Sequence, residues 1–93
     1  LKNFGRIIIN KTDSVTGSPI EGVVFEIRDK DGKVLDTLTT GEDGYTDYYS
    51  TTFREGDSVT LYFKETKAPK GFLINDEVRS ITLDSEDSYT ETI

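Results

Sequence analysis

Short runs of alternating apolar and polar residues cover the chain. In 23–28, Val23, Phe25 and Ile27 fall on one face and Val24, Glu26 and Arg28 on the other. In 58–65, Val59, Leu61 and Phe63 share a face, opposite Ser58, Thr60, Tyr62 and Lys64. In 6–11, Ile7 and Ile9 oppose Ile8 and Asn10. A period of two marks half-buried strands, and no window holds a helical period. Further runs rich in β-branched and aromatic residues lie at 33–40, 45–49, around 72–73 and 78–83, and at 89–93. Turn chemistry separates them: a polar loop at 13–19, Asp31-Gly32, Asp43-Gly44, Glu55-Gly56-Asp57 and Ala68-Pro69-Lys70-Gly71. Seven or so strands with breaks this frequent predict an all-β fold, an antiparallel or mixed β-sandwich.

A chain of 93 residues builds one domain. Its Lys+Arg count of 11 against 18 Asp+Glu leaves a net charge of −7, the wrong sign for a nucleic-acid face. Without Cys or His there is no disulfide, thiolate metal site, imidazole base or Ser-His-Asp triad. The longest aliphatic run, Ile7-Ile8-Ile9, is far below the roughly 20 apolar residues of a membrane span. The start, Leu1-Lys2-Asn3, carries no initiator Met, so the chain reads as a segment of a longer protein. Residues 1–4 are expected to be a junction or the tail of a preceding module, and 5–93 the domain.

Extending two alternations by one step changes the picture. Lys11 falls on the face of Ile7 and Ile9, and Glu65 on the face of Val59, Leu61 and Phe63. Each apolar stripe thus ends in an ionisable group. Such groups reach solvent at a strand end, pair with each other, or do chemistry. In general, desolvation frees an amine of its proton and makes it a nucleophile, while a desolvated acid keeps its proton and can donate to a carbonyl. A pair of this kind could join Lys11 to a nearby Asn or Asp as an amide.

The motifs resemble those of Cna B-type domains over nearly the whole chain. Gly5 to Asp13, Thr16-Gly17 and Ile20-Glu21-Gly22-Val23-Val24-Phe25-Glu26-Ile27 are similar to that family's opening. Thr39-Thr40-Gly41-Glu42-Asp43-Gly44-Tyr45 is similar to its Thr-x-x-x-Gly turn. Leu61-Tyr62-Phe63-Lys64-Glu65-Thr66-Lys67-Ala68-Pro69-Lys70-Gly71-Phe72 resembles its E-box. The resemblance implies a prealbumin-like, inverse immunoglobulin-type sandwich that serves as a stalk or spacer in Gram-positive pilins and adhesins. Such a domain is extracellular, anchored to the cell wall through regions outside this segment, and monomeric in isolation. Its partners would be neighbouring domains of the same surface protein, with no nucleic acid, membrane, cofactor or metal. The resemblance also implies that Lys11 is an isopeptide nucleophile and Glu65 the assisting acid, acting once rather than as an enzyme with turnover. The alternative is a binding module that contacts a host extracellular protein through a tyrosine-rich face or a strand edge.

One family feature has no counterpart. The acceptor Asn or Asp belongs near the end of the last strand, and 89–93 reads Tyr-Thr-Glu-Thr-Ile. Of the Asn residues, Asn10 points away from Lys11, Asn75 lies in a turn, and Asn3 resembles the acceptor of a preceding domain. The acceptor is therefore expected just after Ile93. Other signals have plain readings. Asp29-Lys30-Asp31-Gly32 fails the EF-hand pattern at Lys33, Val34 and Thr40 and reads as a hairpin turn. Asn10-Lys11-Thr12 matches a glycosylation pattern but lies in a strand. Tyr45, Tyr48, Tyr49 and Phe53 read as core and edge packing, and the acidic run 84–87 as a solvated turn.

Overall fold

The computed structural model describes residues 2–84 and 87–93. Among the described residues, seven strands appear in chain order: β1 (Lys2–Asn10), β2 (Val24–Arg28), β3 (Val34–Thr39), β4 (Tyr49–Arg54), β5 (Val59–Lys67), β6 (Arg79–Leu83) and β7 (Asp87–Thr92). They form two sheets, of order β4-β1-β7 and β3-β2-β5-β6. All pairings are antiparallel except β1 with β7, which run parallel from Gly5↔Asp87 to Asn10↔Thr92. First and last strands are thus direct neighbours.

The inward stripes meet between the sheets. Ile7 and Ile9 of β1 pack with Phe25 and Ile27 of β2, Leu61 and Phe63 of β5, and Leu83 of β6, all buried. Each such side chain contributes about 1.5–3 kcal/mol by leaving water. β2 and β5 are the central strands of their sheet, which is why their alternation is the cleanest in the chain.

Three expected elements differ. The strand expected at 6–11 runs instead from Lys2 to Asn10 and pairs with β4 from Lys2↔Arg54 onward. The strand expected at 45–49 begins at Tyr49 and runs on to Arg54. Residues 45–48 form a connection whose backbone meets β1 through an isolated bridge of Tyr45 with Asn10 and the bonds of Thr46, whose N–H donates to Ile9 O at 2.9 Å. Buried Thr46 accepts from Ile9 N at 3.1 Å and donates to Asp47 O at 2.8 Å. The true strand reads Tyr-Ser-Thr-Thr-Phe-Arg, whose inward positions include a threonine, so apolar alternation does not reveal it. Phe72 and Leu73 join no strand. They lie in the β5–β6 connection, where Leu73 is 95% exposed.

Thr40, 3% exposed, ties the start of β2 to the end of β3. Its hydroxyl accepts from Val23 N at 2.9 Å and donates to Ile20 O at 2.8 Å. Thr40→Val keeps the shape and leaves both buried backbone groups unpaired. It is expected to cost about 1–3 kcal/mol in a urea-unfolding experiment; no loss would mean that water replaces the hydroxyl.

Candidate functional site

Lys11 follows β1 directly and is held by its backbone on both sides. Its N–H donates to Gly44 O at 2.8 Å and its carbonyl accepts from Ile20 N at 3.1 Å. Gly44 closes the 40–44 turn with φ of 83°, and a Cβ there would lie 2.8 Å from the Lys11 carbonyl oxygen. The turn therefore fits against Lys11 only because residue 44 lacks a side chain. The next residues leave as a hairpin-like loop. Asp13 Oδ1 accepts from Val15 N at 2.7 Å and Thr16 N at 3.1 Å. These hydrogen bonds, helped by the Lys11 charge, hold the Asp13 carboxyl below its usual range. Because the folded-state value is depressed, the stability this adds is present above the ordinary carboxylate range and is lost as pH falls.

Glu65 comes from the other sheet. It lies near the end of β5, opposite Phe25, where a register shift between Val24 and Phe25 interrupts the β2–β5 ladder. Its side chain is 2% exposed, against 18% for Lys11, and Glu65 Oε1 lies 3.1 Å from Lys11 Nζ. This ion contact is the nearest partner of Oε1, which makes no directed hydrogen bond. Oε2 accepts from Asn75 N at 2.8 Å. A buried carboxylate is thus compensated by one ammonium and one amide, and the ion contact bridges the two sheets across the core.

The C-terminal residue completes the surroundings. Ile93 N donates to Asn10 O at 2.8 Å, and Thr12 N donates to Ile93 O at 3.0 Å. Ile93 therefore extends the parallel β1–β7 ladder by one step, opposite Lys11. It packs against the core and lines a shallow cleft with Phe25, Phe63, Glu65, Asn75 and Glu77.

The two residues singled out from the strand alternation are in contact. Among the described residues, no Asn side chain bonds to either of them. Asn10 lies on the outward face of β1, and Asn75 Oδ1 accepts from Glu77 N at 3.1 Å. The part played by the Asn75 amide escaped sequence reasoning, because a backbone group has no residue-type signature. The Ala68-Pro69-Lys70-Gly71 turn was its only hint.

The remaining candidates fall elsewhere. Asp29 Oδ1 accepts from Asp31 N at 2.9 Å and Lys33 N at 3.0 Å, so this carboxylate serves the β2–β3 turn. Among the tyrosine-region residues, Phe53 is in the core and Tyr49 packs against it, whereas Tyr45 and Tyr48 are exposed. Arg6 stacks over the Tyr48 ring at 4.0 Å. Of the acidic run 84–87, Ser85 and Glu86 lie outside the described residues.

The two-sheet all-β sandwich, with its first and last strands paired in parallel, has the prealbumin-like fold. Residues 5–93 match the SpaA prealbumin-like fold domain, and the chain belongs to that family. The chain is 38% identical over 77 residues to the trypsin-resistant surface T6 protein of Streptococcus pyogenes serotype M6, covering 83% of this chain and 13% of that protein. The solved T6 backbone pilin of the same serotype superimposes with a TM-score of 0.71 at 37% identity, over 85% of this chain and 16% of that one. Two further structures share the fold at 22% identity: the Bacillus anthracis TIE protein, with a TM-score of 0.83 over 98% of this chain and 17% of that one, and the major pilin subunit BcpA of Bacillus cereus, with a TM-score of 0.72 over 100% and 28%. The chain thus spans a small part of the length of the proteins it resembles.

Proposed function

We propose that this chain is a structural domain of a Gram-positive surface pilin or adhesin stalk, and that its fold is locked by one isopeptide bond from Lys11. The observation that carries the reading is the 3.1 Å contact of Lys11 Nζ with buried Glu65 Oε1, beside Ile93, which carries the β1–β7 ladder to a position opposite Lys11. The acceptor is an Asn or Asp that follows Ile93 in the parent chain. Side chains alternate along a strand, so the first position on the face of Ile93 is two residues on. The bond would then tie the first strand to the last, a staple suited to a chain with no Cys.

In the proposed step Lys11 Nζ attacks the acceptor's side-chain carbonyl carbon, the new C–N bond forms, and the bond to the amide nitrogen breaks. The Lys11 ammonium sheds two protons through Glu65. One goes to the departing nitrogen, which leaves as ammonia, and one remains on the Glu65 carboxyl. With an ionised Asp as acceptor, both protons go to the departing oxygen, which leaves as water, and Glu65 remains a carboxylate. The fold supplies the rate by holding the groups at high effective concentration. The domain acts through its neighbours in the same surface protein, as a spacer that resists extension.

Intact mass tests this. The 93-residue chain is expected at its unmodified mass. A parent fragment carrying the following residues is expected about 17 Da light for ammonia or about 18 Da light for water, with no deficit after Lys11→Ala. A parent fragment of full mass would overturn the reading.

A further inference from the structure

We infer that the backbone N–H of Asn75 is the positioning group of this site, holding Oε2 of Glu65 so that Oε1 alone is presented to Lys11. The inference rests on the reading of Lys11 and Glu65 as a bond-forming pair. Three observations carry it. Oε2 accepts from Asn75 N at 2.8 Å. Oε1 is buried, has no directed hydrogen bond and lies 3.1 Å from Lys11 Nζ. Asn75 itself belongs to a connection with no strand pairing, exposed from Lys70 to Val78, so its amide reaches a buried carboxylate from outside the core.

The connection has the local chemistry to make that reach. Gly71, with φ of 97°, turns the chain, and Phe72 N donates to Pro69 O at 3.1 Å. The chain then returns toward the end of β5, which it has just left. Beyond the site, Asn75 Oδ1 accepts from Glu77 N at 3.1 Å and fixes the local bend. A carboxylate with both oxygens free could rotate and offer either one to the amine. An N–H on one oxygen removes that freedom and leaves the other as the proton carrier. The motif Ala68-Pro69-Lys70-Gly71 therefore serves the chemistry by delivering an amide to Glu65.

Two measurements test this. First, hydrogen exchange of the Asn75 amide in the 93-residue chain is expected to be slowed at least about 10-fold relative to an unstructured peptide, the size of a hydrogen bond to a charged group. Exchange at the unstructured rate would overturn the inference without any variant. Second, bond formation is followed by intact mass during cell-free synthesis of the full parent chain. Asn75→Pro removes the N–H and is expected to slow the mass change about 10-fold or more, whereas Asn75→Ala keeps the N–H and stays within about 3-fold of the unaltered chain. Equal rates for Asn75→Pro and the unaltered chain, or an Asn75→Ala chain as slow as Asn75→Pro, would overturn it. If the unaltered parent never loses mass, the isopeptide reading fails by itself, and the exchange result still decides whether Asn75 holds Glu65.

Discussion

Gly44→Ala is expected to lower the unfolding free energy by about 3 kcal/mol or more, enough to threaten folding of a domain this small. Two costs combine. The φ of 83° at Gly44 is one that L side chains rarely adopt. The added Cβ would also lie 2.8 Å from Lys11 O and 2.9 Å from Pro19 Cβ. The first contact is with backbone, whose carbonyl already accepts from Ile20 N, so neither side can move aside cheaply. Gly32 is the internal control. It has the same φ of 83°, and a Cβ there meets nothing within 4 Å. Gly32→Ala should therefore carry the conformational cost alone, about 1–2 kcal/mol. Urea midpoints of the two variants isolate the clash by difference. A Gly44→Ala chain no less stable than Gly32→Ala would show that the 40–44 turn does not press on Lys11 as described.

That control also shows what could be read from residue order alone. Asp31-Gly32 and Asp43-Gly44 are the same dipeptide, and both predict a turn with a left-handed glycine. Nothing local says that one turn faces open space and the other rests on the strand end that carries Lys11. The inward faces of β1, β2 and β5 were legible because burial on one side of a strand imposes a period of two on the sequence. β4 was displaced because its inward positions include Thr51, and because Thr46, a plausible strand residue, is used to bond Ile9 N across the sheet. Tertiary hydrogen bonding of this kind overrides strand propensity without leaving a pattern.

The candidate site divides in the same way. Lys11 and Glu65 stood out because an ionisable group at an apolar position is costly and so draws attention wherever it occurs. Their meeting across the two sheets depends on topology, which the motif order implied through resemblance rather than through spacing. The amide of Asn75 and the extension of the β1–β7 ladder by Ile93 depend on backbone geometry and carry no residue-type signal.

The unequal burial of the central pair gives the second large effect. In the 93-residue chain, Lys11→Met is expected to cost about 3–5 kcal/mol, because it leaves the Glu65 carboxylate buried with a single hydrogen bond. Met matches the length and bulk of the Lys stem, so packing is nearly kept. Removing the other charge should cost less. Glu65→Gln preserves an acceptor for the Asn75 amide, and the Lys11 side chain, 18% exposed against 2% for Glu65, can turn its ammonium toward water. That variant is expected to lose about 1 kcal/mol. With both changes present no charge is left uncompensated, so the double variant should be more stable than Lys11→Met alone, by about 1.5 kcal/mol or more. In thermal melts each kcal/mol corresponds to about 4–8 °C for a domain of this size. Equal losses for the two single variants, or simple addition in the double, would mean that water already reaches Glu65 and that its carboxylate does not depend on Lys11. The predicted asymmetry is also what the proposed chemistry needs, because the acid must stay fixed in the core while the amine alone moves to form a bond.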